Sequence, residues 1–159
     1  MNIASIKTLT FAAVGGLLLA GCASMAGGSS GATILVGGNH SKITDQTYKD
    51  VHSQADLDKL WQQAFGGMSQ VPTQPSVDFS KDMVIAAFLG SEKHGGYVAR
   101  ITNVDNSGAS LGVTVTITVP GQNCNFSQST SEQYQFFSIP ASSKPVSFNI
   151  TQRNAMPCG

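Results

Sequence analysis

Charged residues are scarce in this sequence. Lys, Arg, Asp and Glu make up 11% of its 159 residues, and nine basic residues balance nine acidic ones. The basic residues form no cluster, so the chain lacks the positive patch that nucleic-acid binding uses. The apolar run from Leu9 to Ala20 is shorter than the about 20 residues that a membrane-spanning helix needs. We therefore expect no nucleic-acid partner and interpret the apolar run as a targeting segment.

Signatures of metal and nucleotide chemistry are also missing. The three histidines, His40, His52 and His94, share no spacing that would bring metal ligands together, and no CxxC pair accompanies them. No phosphate-binding glycine loop or dinucleotide fingerprint is present. Two GxSxG matches, Gly27–Gly31 and Gly108–Gly112, lack the strand, turn and helix that raise a catalytic serine. We expect no cofactor, no metal and a noncatalytic protein.

The beginning of the chain has the layout of a secretory signal peptide. Lys7 precedes the apolar run, and small residues surround Cys22. The four residues Leu19-Ala20-Gly21-Cys22 resemble the lipobox of bacterial lipoproteins, whose cysteine is lipidated and becomes the first residue after cleavage. An ordinary signal peptide with an accidental cysteine is the alternative.

The lipobox resemblance implies a signal peptide over residues 1–21 and a lipid anchor, including palmitate, on Cys22. Several acyl chains on one residue hold a protein on a membrane where a single chain is marginal. Because Ala23 rather than Asp follows the cysteine, the resemblance also implies the outer membrane, with the domain periplasmic or surface-exposed.

A stretch rich in Gly, Ser and Ala follows the cysteine. Residues 23–38 read ASMAGGSSGATILVGG and carry no charge. This composition predicts a flexible tether over residues 22–38, with Thr33 to Val36 as a short apolar patch that docks. We expect one domain over residues 39–159.

Cys124 and Cys158 remain once Cys22 carries lipid. They lie 34 positions apart, in a chain predicted to enter an oxidising compartment. A disulfide is the usual fate of such a pair, and this one would attach the C-terminal tail to the domain. A metal site is the less favoured alternative, because no further Cys or His cluster accompanies the pair.

One amphipathic helix is predicted near the start of the domain. Ser53 can cap its N-terminus, Asp56 favours the helix dipole, and Gly66-Gly67 ends it. The apolar positions that share one helical face are Leu57, Leu60, Trp61, Ala64 and Phe65.

Strands are predicted before and after this helix. A weak first strand is expected between Ile43 and Val51. The later strands are expected at Met83–Leu89, Tyr97–Val104, Leu111–Val119, Gln133–Ile139 and Val146–Thr151. The continuous apolar run MVIAAFL predicts a strand covered on both faces, and the Thr alternation in LGVTVTITV predicts one with a single buried face. The fold class is α+β: an antiparallel sheet or sandwich of five to six strands with one packed helix.

The order of these features resembles the PrcB C-terminal domain family of protease complex subunits. The resemblance rests on Leu60-Trp61, PSVDF at residues 75–79, MVIA at 83–86 and GGYV at 95–98, and it covers roughly residues 57–150. It implies a lipoprotein that binds a secreted protease and supports its stability. Cys124 and Cys158 are not part of that family pattern.

The resemblance points to the loop before the second long strand as a partner-binding site, formed by His94, Gly95, Gly96 and Tyr97. The glycines permit close backbone approach, and the tyrosine offers an amphipathic ring. The structural alternative is that the glycines turn a hairpin while Tyr97 packs on Trp61 in the core.

The sequence is also compatible with two other functions. A protease inhibitor could present the loop Ser91–Gly96 or the loop Gly121–Thr130, the second stiffened by the disulfide. A small hydrolase could use Ser91, His94 or one of the aspartates.

Overall fold

The structure, a computed structural model, describes residues 31–158. The predicted signal peptide and Cys22 lie outside these residues. The elements are β1 Thr33–Gly38, β2 Thr47–Val51, α1 Gln54–Phe65, β3 Asp82–Glu92, β4 Val98–Asp105, β5 Leu111–Val119, β6 Ser131–Pro140 and β7 Val146–Asn154.

The strands form two sheets. The first sheet has the order β1-β6-β3-β2 and is antiparallel throughout. The second has the order β4-β5-β7, in which β4 and β5 are antiparallel and β5 and β7 are parallel. The chain crosses from the first sheet to the second after β3, back to the first after β5, and again to the second after β6.

The first sheet is the middle layer of three. Along β3, Met83 and Ile85 join the core shared with the second sheet, whereas Val84 and Ala86 join the core shared with α1. This alternation follows from the two-residue period of a strand. The prediction that this apolar run is covered on both faces is confirmed, because every residue from 83 to 90 is buried.

Helix α1 begins and ends as predicted. The Ser53 side chain accepts a hydrogen bond from the Asp56 backbone N–H at 3.2 Å, and the backbone N–H of Gly66 donates to the Gln62 carbonyl. All five residues of the predicted apolar face are buried. Trp61 packs against Phe136 with ring centroids 5.1 Å apart, and Phe65 packs against Tyr134 at 4.7 Å. The helix therefore contacts the sheet through an aromatic cluster.

The second sheet has one buried face and one polar face. Along β5, Val113, Val115 and Ile117 are buried, while Thr114 and Thr116 between them are only partly buried and lie on the other face. The Thr116 hydroxyl lies 2.9 Å from that of Thr102 and 2.8 Å from that of Thr151. The predicted alternation of this strand is confirmed.

The α+β prediction is confirmed, with two differences in detail. The described residues contain seven strands rather than five or six, and β7 joins its sheet in parallel with β5. Strand β7 pairs with β5, which lies two elements earlier in the chain. A local sequence pattern does not reveal which strand is the partner or whether the pairing is parallel.

The prediction that the whole segment 22–38 is a tether is wrong for its last six residues. Thr33–Gly38 form β1, which pairs with β6 in the register Ile34 to Phe137 and Val36 to Phe136. The folded unit therefore begins before residue 39. The β-branched and apolar residues of this segment suit a strand. The tether was predicted because Gly and Ser residues flank the segment and dominate its composition.

Candidate functional site

Two connections between the sheets lie side by side at one end of the molecule. Residues 93–97 lead from β3 to β4, and residues 120–130 lead from β5 to β6. They meet because β3 ends where β6 begins, with Glu92 paired to Ser131. We name the surface formed by residues 93–97 and 120–130 the crossover surface.

Backbone contacts fix the two connections to each other. The Gly95 N–H donates to the Ser127 carbonyl at 2.9 Å. Gly96 has a φ of +94°, and a Cβ on this residue would lie 2.5 Å from the Phe126 ring. Glycine is therefore required here both by the backbone angle and by the close approach of Phe126. The two connections form one continuous surface.

The aromatic pair His94 and Tyr97 brackets these glycines. Their rings stack with centroids 5.4 Å apart, and His94 Nδ1 lies 3.0 Å from the Gly95 carbonyl oxygen. Because a carbonyl oxygen only accepts, Nδ1 carries the proton and donates it. Burial raises the pKa of the Tyr97 phenol, and the charge of Glu92 raises it further. The four predicted partner-binding residues are thus neighbours in space.

The expectation that Tyr97 packs on Trp61 is wrong. Tyr97 packs against the core between the two sheets, whereas Trp61 belongs to the core between α1 and the first sheet. The first sheet separates the two cores. The crossing of the chain after β3 places Tyr97 on the far side, and the sequence pattern did not reveal that crossing.

The predicted disulfide between Cys124 and Cys158 is present, with an S–S distance of 2.01 Å. Next to it, the Cys158 N–H donates to the Gln122 carbonyl at 3.1 Å, and the Ala155 N–H donates to the Val119 carbonyl at 2.9 Å. The C-terminal tail is therefore fastened along the base of the second connection, and it limits the movement of residues 120–124.

A groove of about 300 Å³ opens on the crossover surface beside the disulfide. Its lining includes His94, Gln122, Cys124, Phe126 and Gln128. Among Lys, Arg, Asp and Glu, residues 93–97 and 120–130 contain only Lys93, so the crossover surface carries very little charge. Depletion of charged residues together with aromatic side chains is typical of the centre of protein–protein interfaces.

The residues of the hydrolase alternative have separate partners. Ser91 Oγ donates to Glu132 Oε1 at 3.4 Å, and His94 Nδ1 donates to the Gly95 carbonyl. A serine nucleophile needs a base within hydrogen-bond reach, and here each group is engaged elsewhere.

The described part of the chain offers no preformed metal centre: residues 31–158 contain no group of three or more His, Cys, Asp or Glu placed to bind an ion. No helix within these residues is long and apolar enough to span a bilayer.

A second cavity lies where sequence reasoning predicted no site. It is a cleft of about 410 Å³ between the β1–β6 side of the first sheet and β4 of the second, and its lining includes Gly37, Arg100, Gln133 and Gln135. We name it the edge cleft. One feature of the sequence could have indicated it. Gln133 and Gln135 alternate along β6 and therefore lie on the same face as the buried Phe137 and Ile139.

Comparison with known proteins gives no assignment: the chain matches no family model, no curated protein and no solved structure.

Proposed function

We propose that this protein is a noncatalytic lipoprotein of the cell envelope that binds another protein through the crossover surface. In this proposal a lipid on Cys22 anchors the chain to the outer membrane. The partner is a secreted protease, which the domain stabilises or regulates. The lipobox resemblance supports the anchor, and the resemblance to protease complex subunits supports the class of partner.

The observation that carries the binding role is the mutual fixation of the two connections. The Gly95–Ser127 hydrogen bond, the Phe126 ring on Gly96 and the Cys124–Cys158 disulfide hold an exposed surface in one shape. A surface ordered before binding loses less conformational entropy when the complex forms. The near absence of charged side chains reduces the cost of removing water from it.

The test is capture of a partner by the full, disulfide-bonded chain from solubilised envelope and secreted proteins. A His94→Ala variant removes the stacked ring from the crossover surface. His52→Ala is its matched control, because His52 is exposed and follows β2 at the opposite end of β3. We expect a protease to be captured by the wild type and by His52→Ala, with at least about a tenfold loss of affinity for His94→Ala.

Two results would contradict the proposal. Equal capture by both histidine variants would place the contact elsewhere on the molecule. Capture of a nonprotease through the crossover surface would retain the binding role and refute the class of partner.

Protease inhibition is the second candidate, favoured by the stiffening of residues 120–124. Asn123 has a φ of 61°, an unusual angle for a residue other than glycine, and the adjacent Cys124 is covalently tied to the tail. An inhibitory loop benefits from such rigidity. The catalytic rate of the captured protease distinguishes the candidates. An inhibitor lowers this rate until the disulfide is reduced, whereas a stabilising subunit extends the time over which the protease stays active.

A further inference from the structure

We propose that the edge cleft is a second binding site, which takes an extended peptide segment ending in a free carboxylate. The cleft adjoins the crossover surface at Tyr97, which lines both, but the inference does not depend on the proposed protease partner. It rests on an amide that lines the cleft, a guanidinium without a counter-ion, and two edge strands, β1 and β4, that both contribute to the lining.

Gln133 supplies the amide. It is only 7% exposed, lies on β6 and lines the cleft. Its amide atoms are not among the sealed, unpaired side-chain atoms of residues 31–158, so they remain accessible to solvent in the cleft. Water can solvate this amide in the free protein, and a ligand group with equivalent hydrogen bonds can replace that water. A ligand that both accepts and donates, as a peptide group does, would satisfy it.

Arg100 supplies the charge. One of its guanidinium nitrogens, Nη1, donates to the Ala99 carbonyl at 2.9 Å and to Gln135 Oε1 at 3.0 Å. Both acceptors are neutral, and none of the ion pairs within the described residues includes Arg100. No Asp or Glu lines the cleft. The remaining guanidinium donors are therefore available to a carboxylate, whose two oxygens match their geometry.

The walls of the cleft favour an extended ligand. Within residues 31–158, β1 and β4 each pair on one side only, and both contribute to the lining. Such edges carry backbone N–H and C=O groups that can pair with an added strand. Gly37 keeps the space open, because a Cβ there would lie 3.3 Å from the Gln135 side chain. A peptide backbone can thus use the edges while its terminal carboxylate reaches Arg100.

The experiment titrates the full, disulfide-bonded chain in neutral detergent with N-acetyl-Val-Ala-Val-Ala, followed by calorimetry and by backbone amide NMR. The same peptide with a C-terminal carboxamide, and acetate alone, are the comparison probes. We expect the acid peptide to shift the resonances of Gly37, Arg100 and Gln133, and to bind at least about tenfold more tightly than either comparison probe.

The variants separate the cleft from general charge effects. Arg100→Gln and Gln133→Leu should each weaken binding of the acid peptide about tenfold or more. Arg153→Gln is the matched control, because Arg153 lies on β7 and, like Arg100, has only a neutral partner, Thr118 Oγ1 at 3.0 Å. It should leave binding unchanged.

Three results would overturn the inference. Equal binding of the acid and the carboxamide would remove the role of Arg100. Acetate binding as tightly as the peptide would remove the role of the strand edges. An equal loss in Arg100→Gln and Arg153→Gln would show attraction by net charge alone. Peptide binding in the cleft together with failure of partner capture would uphold this inference and refute the proposed function.

Discussion

At the scale of single residues, the shape of the crossover surface depends most directly on Gly96. Its left-handed backbone angle and its contact with the Phe126 ring both exclude a side chain. We predict that Gly96→Ala lowers the free energy of unfolding by about 1 to 3 kcal/mol, a typical cost of a strained backbone position. It should also broaden the NMR signals of residues 120–130. Urea denaturation and NMR measure the two effects.

Gly95→Ala is the control for this change. A Cβ on Gly95 would meet Ser127 at 3.8 Å, an ordinary contact distance, and Gly95 is not among the residues with positive φ. Its effect should stay within about 0.5 kcal/mol, as for other substitutions away from strained or buried sites. Equal destabilisation by the two variants would contradict the importance given to Gly96.

Tyr48 determines part of the response to alkaline pH. Burial raises the pKa of its phenol to about 12. The folded chain favours the neutral phenol. The free energy of unfolding is therefore independent of Tyr48 ionisation below the ordinary tyrosine pKa of about 10, and it falls as pH rises from there towards 12. We predict that Tyr48→Phe makes the loss of stability over this interval less steep, as measured by urea denaturation at a series of pH values.

The same variant also has an effect at neutral pH. The Tyr48 hydroxyl is buried and has no hydrogen-bond partner among residues 31–158. Removing an unsatisfied buried hydroxyl should raise the free energy of unfolding by about 1 kcal/mol. Destabilisation instead, or an unchanged alkaline profile, would show that the phenol is solvated. Tyr134→Phe is the comparison, because the Tyr134 hydroxyl is not among the sealed, unpaired atoms.

At the scale of elements, β1 is the strand whose removal is most informative. It covers one edge of β6, and β6 carries Phe136 and Phe137 at the centre of both cores. We predict that a chain starting at residue 39 has a lower urea midpoint than one starting at residue 31. The truncation leaves the β6 edge unpaired, and unpaired edges promote association. Denaturation and light scattering of the two chains test this.

Equal midpoints and equal masses for the two chains would contradict this role of β1. The comparison keeps every other described element constant, since both chains retain β2 to β7 and α1.

Elements also show why some predictions from sequence succeeded. The period of 3.6 residues in α1 and the period of two in β5 directly record which face is buried, so both elements were predicted with their faces. The start of β1 was missed because its partner, β6, lies about a hundred positions away. The edge cleft was missed for the same reason: Arg100 and Gln135 are 35 positions apart and meet only across the two sheets.

At the scale of the whole molecule, the disulfide joins the C-terminal tail to the crossover surface. In the chain-entropy account, closing such a loop stabilises a protein by about 2 to 4 kcal/mol. We predict that replacing Cys124 and Cys158 together by Ser lowers the free energy of unfolding by that amount and loosens residues 120–124. Urea denaturation and amide hydrogen exchange measure the two effects.

Reduction of the wild-type chain provides the control. Reduced wild type and the double Ser variant should unfold at the same midpoint, because both lack the same covalent link. A reductant that also shifts the midpoint of the double variant would show that it acts by some route other than this bond.

Local sequence patterns were sufficient to predict the fold class, the buried face of α1, the alternation of β5 and the pairing of the last two cysteines. These follow from local periodicity and from the small number of available partners. Four features follow only from the packing of the folded chain: the edge position of β1, the parallel pairing of β5 with β7, the separation of Tyr97 from Trp61 and the edge cleft. Each depends on contacts between segments that are far apart in the chain. The pairing of distant strands and the packing of one sheet on the other leave no local pattern in the sequence.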